Sequence, residues 1–383
     1  MIFKRSDIPG EDIKRAMSMA DKRRELIEQT PADPLVYDYG VNRLARSLHP
    51  GIVKAVIAKK EKAGSDSCRI SLEACEGKLP YFRAGQFITL SSKVNDSFIS
   101  RPYSIASSPK EALNGKLEII VQRKGIFSEY LIDEADIGTQ LSIGEPSGDF
   151  YHDDLRDRNH ILAIAGGSGI TPFLSMLKAI KEGSEDFRLT LVYGVRTRGQ
   201  ILFDPEEFKD ERIRIVIVLS DEEVEGYRHG FITAELLKEY LDEDTNVFMC
   251  GPDAMYDFVN KQLKELGFDE TRIRRERNSV GNRIQENCSV YKLTVHIRDE
   301  VYELDARSEE TLITALERAG IPAVVRCRNG VCGFCHSRVL SGDYFIGKEN
   351  DFRRSADKKF NYIHPCSTYP ESDMEIEIPI FNV

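Results

Sequence analysis

Cys327-Arg328-Asn329-Gly330-Val331-Cys332-Gly333-Phe334-Cys335 places three thiols at C-x4-C-x2-C, and an isolated fourth, Cys366, follows about thirty residues later. This is the spacing with which four thiolates hold the two irons of a [2Fe–2S] cluster, glycines letting backbone N–H groups approach the sulfurs. A four-cysteine zinc site is the rival reading. It is the weaker one, because zinc ribbons carry two short C-x2-C knuckles and this chain has one. An electron carrier near one end of a chain needs an electron source, and the rest of the sequence is read for it.

At 383 residues the chain exceeds one ordinary core, which predicts roughly two to three domains. With 41% hydrophobic and 30% charged residues it has a globular composition. A formal net charge of −10 gives no reason to expect nucleic acid or an anionic membrane as partner. The other cysteines are Cys68, Cys75, Cys250 and Cys288, and the start of the sequence shows no apolar secretory signal. A cytoplasmic setting follows as the expectation, with cysteines used for metal or redox chemistry. The longest uncharged apolar run, 161–177, is interrupted by Gly166-Gly167-Ser168-Gly169 and Pro172. It is too short for a membrane span.

Residues 1–49 read as a charged N-terminal helical extension, with a helix between Glu11 and Gln29. Ile13, Met17, Leu26 and Ile27 make a modest stripe, suited either to packing on a neighbouring domain or to docking a partner protein. Residues 50–155 show short alternating or apolar runs (51–60, 69–72, 86–90, 116–122, 140–143) broken by turn residues, the pattern of an antiparallel barrel. Three signatures fall within it: Phe82-Arg83-Ala84-Gly85-Gln86-Phe87 entering a strand, Arg101-Pro102-Tyr103-Ser104 at a strand start, and Gly125 to Ser128 opening a short helix.

The last two signatures fit a flavin. Arg101 can take a pyrophosphate bidentately, Tyr103 can stack on a ring system, and Ser104 can hydrogen-bond a ring nitrogen. Gly125 at a helix start offers free N–H groups to a phosphate, and Ser128 adds a hydroxyl. Each alone has a plain structural explanation, since a helix-start serine is often only a cap. Their order along one barrel favours the functional reading.

Residues 156–284 alternate strands and helices and predict a parallel sheet with helices on both faces. The loop Gly166-Gly167-Ser168-Gly169-Ile170-Thr171-Pro172 leaves the first strand for a helix, so its glycines let the backbone approach a pyrophosphate at the helix N-terminus. A tight strand-to-helix connection is the alternative. The last strand runs into Cys250-Gly251-Pro252, placing Cys250 at the edge where open α/β sheets bind ligands. A polar linker is expected over 275–288. Residues 285–383 then read as a hairpin, a helix over 309–319 capped by Ser308, the cysteine loop, and a closing strand, with Leu293, Val295 and Ile297 facing inward.

With these motifs in order, together with Tyr193-Gly194-Val195-Arg196, the chain from about residue 50 onward resembles the ferredoxin–NAD(P)+ reductase family carrying a C-terminal plant-type ferredoxin domain, the layout of oxygenase reductase components. The resemblance implies a multidomain fold: a flavin-binding antiparallel β-barrel, an α/β nucleotide-binding domain and an α+β, β-grasp-like ferredoxin domain. It implies that Arg101, Pro102, Tyr103 and Ser104 bind FAD, with FMN the alternative, Ser104 near the flavin N5, and that Gly125 and Ser128 hold its pyrophosphate. It implies that Gly166, Gly167, Gly169, Thr171, Arg196, Asp221, Cys250, Gly251 and Pro252 receive the nicotinamide dinucleotide, with Ser104 and Cys250 at the hydride-transfer position. Cys327, Cys332, Cys335 and Cys366 would ligate the [2Fe–2S] cluster. Carboxylates in Ser220-Asp221-Glu222-Glu223 would repel a 2′-phosphate, favouring NADH over NADPH, although Arg196 and Arg198 could still reach one.

The expected activity is transfer of hydride electrons through flavin and cluster, and singly to an oxygenase, demethylase or other redox protein. A stand-alone small-molecule or quinone reductase and a redox-sensing regulatory subunit are the alternatives. Lys348, Arg353, Arg354, Lys358 and Lys359, with Arg326 and Arg328 beside Cys327, read either as ordinary solvated basic side chains or as a docking face for an acidic partner.

Overall fold

A computed structural model describes residues 10–29, 39–95, 97–277, 280, 283, 285–321 and 323–379. The chain divides into two compact units, Met1–Arg46 and Ser47–Val383. In the first, α1 (Gly10–Glu28) forms where the sequence predicts it, and Met17, Leu26 and Ile27 are exposed. The side chain of Ile13 lies outside the described residues. A second helix, α2, covers Gly40–Leu48.

The second unit opens with six antiparallel strands: β1 (Val53–Ala63), β2 (Ser67–Ala74), β3 (Phe87–Val94), β4 (Ser97–Ser104), β5 (Leu117–Gln122) and β6 (Gln140–Ile143). Their order is β4-β3-β6-β1-β2-β5, and a bridge from Ile105 to Ile119 brings the ends of the sheet together as a barrel. Ala55, Ile57, Ile70, Leu72, Ile88, Leu90, Ile119 and Val121 fill its interior. Each of the branched side chains among them contributes roughly 1.5–3 kcal/mol by burial. Arg101-Pro102-Tyr103-Ser104 ends β4 rather than starting a strand. The reason is pairing: β4 runs from Ser97 in continuous register with β3, so that Ser104 pairs with Phe87 at the far end. Short helices α3 (Pro109–Leu113) and α4 (Ile126–Glu129) flank β5.

Six parallel strands follow: β7 (His160–Gly166), β8 (Arg188–Val195), β9 (Ile213–Leu219), β10 (Arg228–His229), β11 (Thr245–Cys250) and β12 (Ile273–Glu276), with helices α5 (Thr171–Lys181), α6 (Ala234–Lys238) and α7 (Asp253–Glu265). The order β10-β9-β8-β7-β11-β12 reverses direction between β7 and β11. β7 is apolar from Ile161 onward because both its faces are covered. Ile161, Ala163 and Ala165 pack toward Phe173 and Leu177 of α5, and Leu162 and Ile164 toward Tyr256 and Val259 of α7. Arg275 and Glu276, expected in the linker, are instead the end of β12. Their charged run hides a strand whose neighbour, β11, satisfies its backbone. Part of the remaining linker lies outside the described residues.

The last sheet is mixed, in the order β14-β13-β19-β15-β17, from β13 (Val290–Ile297), β14 (Glu300–Arg307), β15 (Ser337–Ser341), β17 (Tyr362–Ile363) and β19 (Met374–Glu377). β16 (Tyr344–Phe345) and β18 (Tyr369–Pro370) form a separate pair. Leu293, Val295 and Ile297 point inward against Leu312 and Leu316 of α8 (Leu312–Arg318). α8 starts after Thr311, not Ser308, whose hydroxyl instead accepts from the Ser289 N–H at 3.0 Å and ties the hairpin. A short α9 covers Ser355–Lys359.

Candidate functional site

β7 and β11 are neighbours, and Ala165 pairs with Cys250 at their carboxyl ends. The chain therefore leaves both strands at the switch point, where α/β sheets open a crevice. The Gly166–Gly169 loop lies directly on the Cys250-Gly251 backbone: a Cβ on Gly169 would stand 2.0 Å from the Cys250 carbonyl oxygen. Only glycine permits that approach. Thr171 Oγ1 donates to the Ser168 carbonyl at 2.8 Å, and Ser168 Oγ donates to Gln122 Oε1 at 2.8 Å, fastening the loop to the end of barrel strand β5. Pro172 sits in the first turn of α5, whose N-terminus faces the loop.

Cys250 is buried, and desolvation pushes its thiol well up, so it stays neutral. Its register partner across to β12 is Glu276. That carboxyl is the residue the sequence reading missed. Burial, opposed by a hydrogen bond from Ser104, pushes it up to about 8, so it carries a proton at neutral pH. Ser104 Oγ stands 3.4 Å from Glu276 Oε1, while Oε2 is buried without a hydrogen-bond partner. Tyr256 donates to the Glu276 carbonyl and holds the strand end in place. The structure thus brings Ser104 from the barrel and Cys250 from the parallel sheet to one protonated carboxyl.

The rest of Arg101-Pro102-Tyr103-Ser104 lines the same edge. Burial raises the Tyr103 hydroxyl, and its ring centroid is 6.4 Å from that of Phe127 on α4. Gly125 caps α4 with φ +155, and a Cβ there would meet only open space. The hydroxyl of Ser128 accepts from the N–H groups of Lys124 (2.8 Å) and Gly125 (3.0 Å) and donates to the Gly125 carbonyl (2.7 Å). It shapes this loop and has no donor left for a ligand. Arg101 turns toward α8, where both oxygens of Glu317 take its Nη1 at 3.0 and 2.9 Å.

At the other end of the crevice Arg196 and Asp221 follow β8 and β9, and the Asp221 N–H donates to the Arg196 carbonyl at 2.9 Å. Both side chains are exposed. The backbone N–H of Arg198 bonds Glu222 Oε2 at 2.8 Å, which draws that carboxylate to the same rim.

The four cluster-motif thiols converge. Cys327 has Cys332 and Cys366 as side-chain partners, and Cys366 also meets Cys335. The Cys332 N–H donates to Cys327 Sγ at 3.4 Å. Gly330 has φ +84, and a Cβ there would lie 2.7 Å from the Asn350 carbonyl, so the loop closes only with glycine. Among the described residues no group of three or more His, Cys, Asp or Glu is arranged as a single-ion site. Four thiolates around a loop whose N–H groups approach sulfur suit a two-iron cluster. The orphaned oxygen of Glu276 and the open space at the glycine cap of α4 would suit a cofactor with an aromatic ring and a phosphate tail.

Of the basic face expected around the cluster, Lys348, Arg354, Lys358 and Lys359 are exposed, whereas three arginines are engaged within the chain. Arg353 is held by Asp351 (2.8 and 3.1 Å) and the Tyr344 hydroxyl (2.9 Å), a local clamp rather than a free cation. Arg326 lies 3.6 Å over the Phe334 ring and 3.2 Å from Glu145, and Arg328 is buried against β4. The arginines beside Cys327 therefore face the barrel, because the cluster loop packs on it.

This is the anatomy of a pyridine-nucleotide-dependent iron–sulfur flavoprotein. Three family profiles match in the same order: an oxidoreductase FAD-binding domain over residues 54–152, an oxidoreductase NAD-binding domain over 163–261, and a 2Fe-2S iron-sulfur cluster binding domain over 295–371. One component of the 1,2-phenylacetyl-CoA epoxidase of Escherichia coli (strain K12) is 31% identical over 320 residues, which cover 77% of this chain and 88% of that one. The reductase component of the glycine betaine monooxygenase of Chromohalobacter salexigens is 27% identical, over 78% of this chain and 87% of its own. The solved phthalate dioxygenase reductase shares the fold, with a TM-score of 0.64 at 23% identity over 86% of this chain and 98% of that one. The chain belongs to the ferredoxin–NAD(P)+ reductase family, with a C-terminal [2Fe–2S] domain. It is an NADH-dependent oxidoreductase that uses FAD and a [2Fe–2S] cluster to pass electrons to a redox partner. No helix among the described residues is long and apolar enough to cross a membrane.

Proposed function

We propose that this chain is the reductase component of an oxygenase or demethylase system, working in the cytoplasm and delivering single electrons to a separate terminal component. The carrying observation is the two-sided cluster loop. One side is sealed on the barrel through Arg328, Arg326 and Thr89, and the other leaves Val331, Cys332 and Phe334 exposed. An electron enters from the sealed side and leaves from the open one. The two relatives, one from an epoxidase and one from a monooxygenase, support this reading.

The residues take these roles within proposed domains 50–155, 156–284 and 285–383. Arg101, Tyr103 and the Gly125 cap hold the flavin, and Ser104 addresses its reacting edge. Gly166 to Thr171 cradle the dinucleotide pyrophosphate, and Cys250 supports the nicotinamide. Asp221 at the rim accepts from the adenosine ribose and repels a 2′-phosphate. Glu276 holds a proton beside Ser104. Flavin, when bound, converts a two-electron donor into a one-electron source, and the cluster relays electrons singly. The balance is one hydride from NADH, two single electrons out, and one proton to solvent.

Anaerobic stopped-flow mixing with NADH tests this: flavin bleaching precedes cluster bleaching, and a purified oxygenase or demethylase component reoxidises the cluster faster than free quinone does. Faster oxidation by quinone favours a stand-alone reductase. No flavin bleaching at all leaves the regulatory reading.

A further inference from the structure

Glu317 sits on α8, beside the cluster-bearing sheet, with its side chain 9% exposed. Its carboxylate is shared by parts of the chain far apart in sequence. Arg101 of β4 donates from Nη1 to both oxygens, and the backbone N–H of Ser100 donates to Oε1 at 3.4 Å. Arg328 forms an ion pair with the same carboxylate and donates from Nε to the Ser100 carbonyl at 2.8 Å. Arg328 directly follows the cluster-loop residue Cys327 and has φ +56, a left-handed conformation that costs a non-glycine residue free energy unless its surroundings hold it. Here the two side-chain contacts do so.

A buried carboxylate between two guanidinium groups is strongly geometry-dependent: without it, the two cations face each other with no counter-charge between them. Such a triad favours one docked arrangement over nearby ones. One end of it is the strand that continues through Tyr103 to Ser104, and the other is the cluster loop at Cys327. The hydrogen bonds to Glu317 use only Nη1 of Arg101.

We propose that Glu317 is a positioning residue for internal electron transfer: it locks the cluster loop onto the flavin strand by clamping Arg101 and Arg328 together. The inference rests on the flavin-to-cluster order of electron flow stated above.

The test uses full-length holoprotein carrying Glu317→Gln, which keeps the side-chain volume, and Glu317→Ala. Anaerobic stopped-flow mixing with NADH follows flavin and cluster bleaching separately. Hydrogen exchange over 97–104 and 326–330, and the EPR spectrum of the reduced cluster, are measured alongside. The expected result is unchanged flavin bleaching, cluster bleaching slowed roughly 10- to 100-fold, faster exchange in both segments and a wild-type EPR spectrum. A merely structural role would not separate the two bleaching rates. Cluster bleaching at the wild-type rate in the Gln variant, with exchange unchanged, overturns the proposal, and that variant decides if the Ala protein loses its cluster. Wild-type protein whose cluster stays oxidised after flavin bleaching sinks both the proposal and the electron order beneath it.

Discussion

Cys250 and Glu276 are register partners at the carboxyl ends of β11 and β12, and Glu276 is also the group that Ser104 reaches from the barrel. A thiol and a carboxyl, both kept neutral by burial, thus lie side by side at the carboxyl edge of the parallel sheet.

The raised carboxyl makes the first prediction. Glu276 is protonated below about 8 in the folded protein and ionises near its ordinary value when unfolded. Its contribution to stability is therefore full in acid and declines as pH rises from the ordinary carboxyl range through about 8. Glu276→Gln removes that decline, which thermal melts across the neutral range will show as a flatter profile. The wild-type rate of flavin bleaching by NADH carries an apparent pKa near 8 that the variant lacks.

Glu118 on β5 and Lys178 on α5 rivet the barrel to the parallel sheet at 2.7 Å, with Lys116 at 2.9 Å on the same carboxylate. Despite burial, the two ammonium groups hold Glu118 down to about 2. Its stabilisation is complete above the ordinary carboxyl range and is lost as pH falls toward about 2. Lys178→Ala removes a charge-assisted hydrogen bond while Lys116 remains, and should cost about 1.5–3 kcal/mol in urea unfolding at neutral pH. The difference from wild type shrinks as Glu118 is protonated.

The close approach of Gly169 to Cys250 makes a third. Gly169→Ala forces a Cβ onto a carbonyl, and the loop must move away from the crevice. Overpacking of this kind costs about 1–3 kcal/mol. Titration calorimetry with NAD+ should show affinity reduced by tenfold or more, on the order of 1.4 kcal/mol, while the flavin absorbance spectrum stays as in wild type.

Asp221 makes the fourth. Removing its charge in Asp221→Ala lifts a repulsion against a 2′-phosphate and loses an acceptor for a ribose hydroxyl. The ratio of kcat/KM for NADH over NADPH should fall by roughly tenfold, about 1.4 kcal/mol. A ratio unchanged within twofold would remove Asp221 from the specificity argument.

Much of the architecture was legible because its signals are local. Alternation in 51–60 and the short apolar run in 116–122 mark strands of a barrel, and the apolar run of 161–165 marks a strand covered on both faces. Gly169 and Gly330 sit where a side chain would strike a carbonyl, and a glycine loop announces that from sequence. Arg275-Glu276 was not legible, since a charged run reads as linker until β11 is seen to pair with it. Ser128 was legible as a helix-start serine, yet which partner its hydroxyl takes depended on how the loop closes.

The sequence by itself determined the kinds of sheet, the order of the flavin, nucleotide and cluster motifs along the chain, and the four thiols at their spacing. Strand periodicity, glycine turns and cysteine intervals act within a few residues, so they survive without any knowledge of distant neighbours. Only the tertiary structure decided which ionisable groups lose their water: Glu276 beside Ser104, and Glu317 between Arg101 and Arg328. Desolvation depends on segments that meet across hundreds of residues, and the same glutamate or arginine is a solvated surface charge or a buried clamp according to what folds over it.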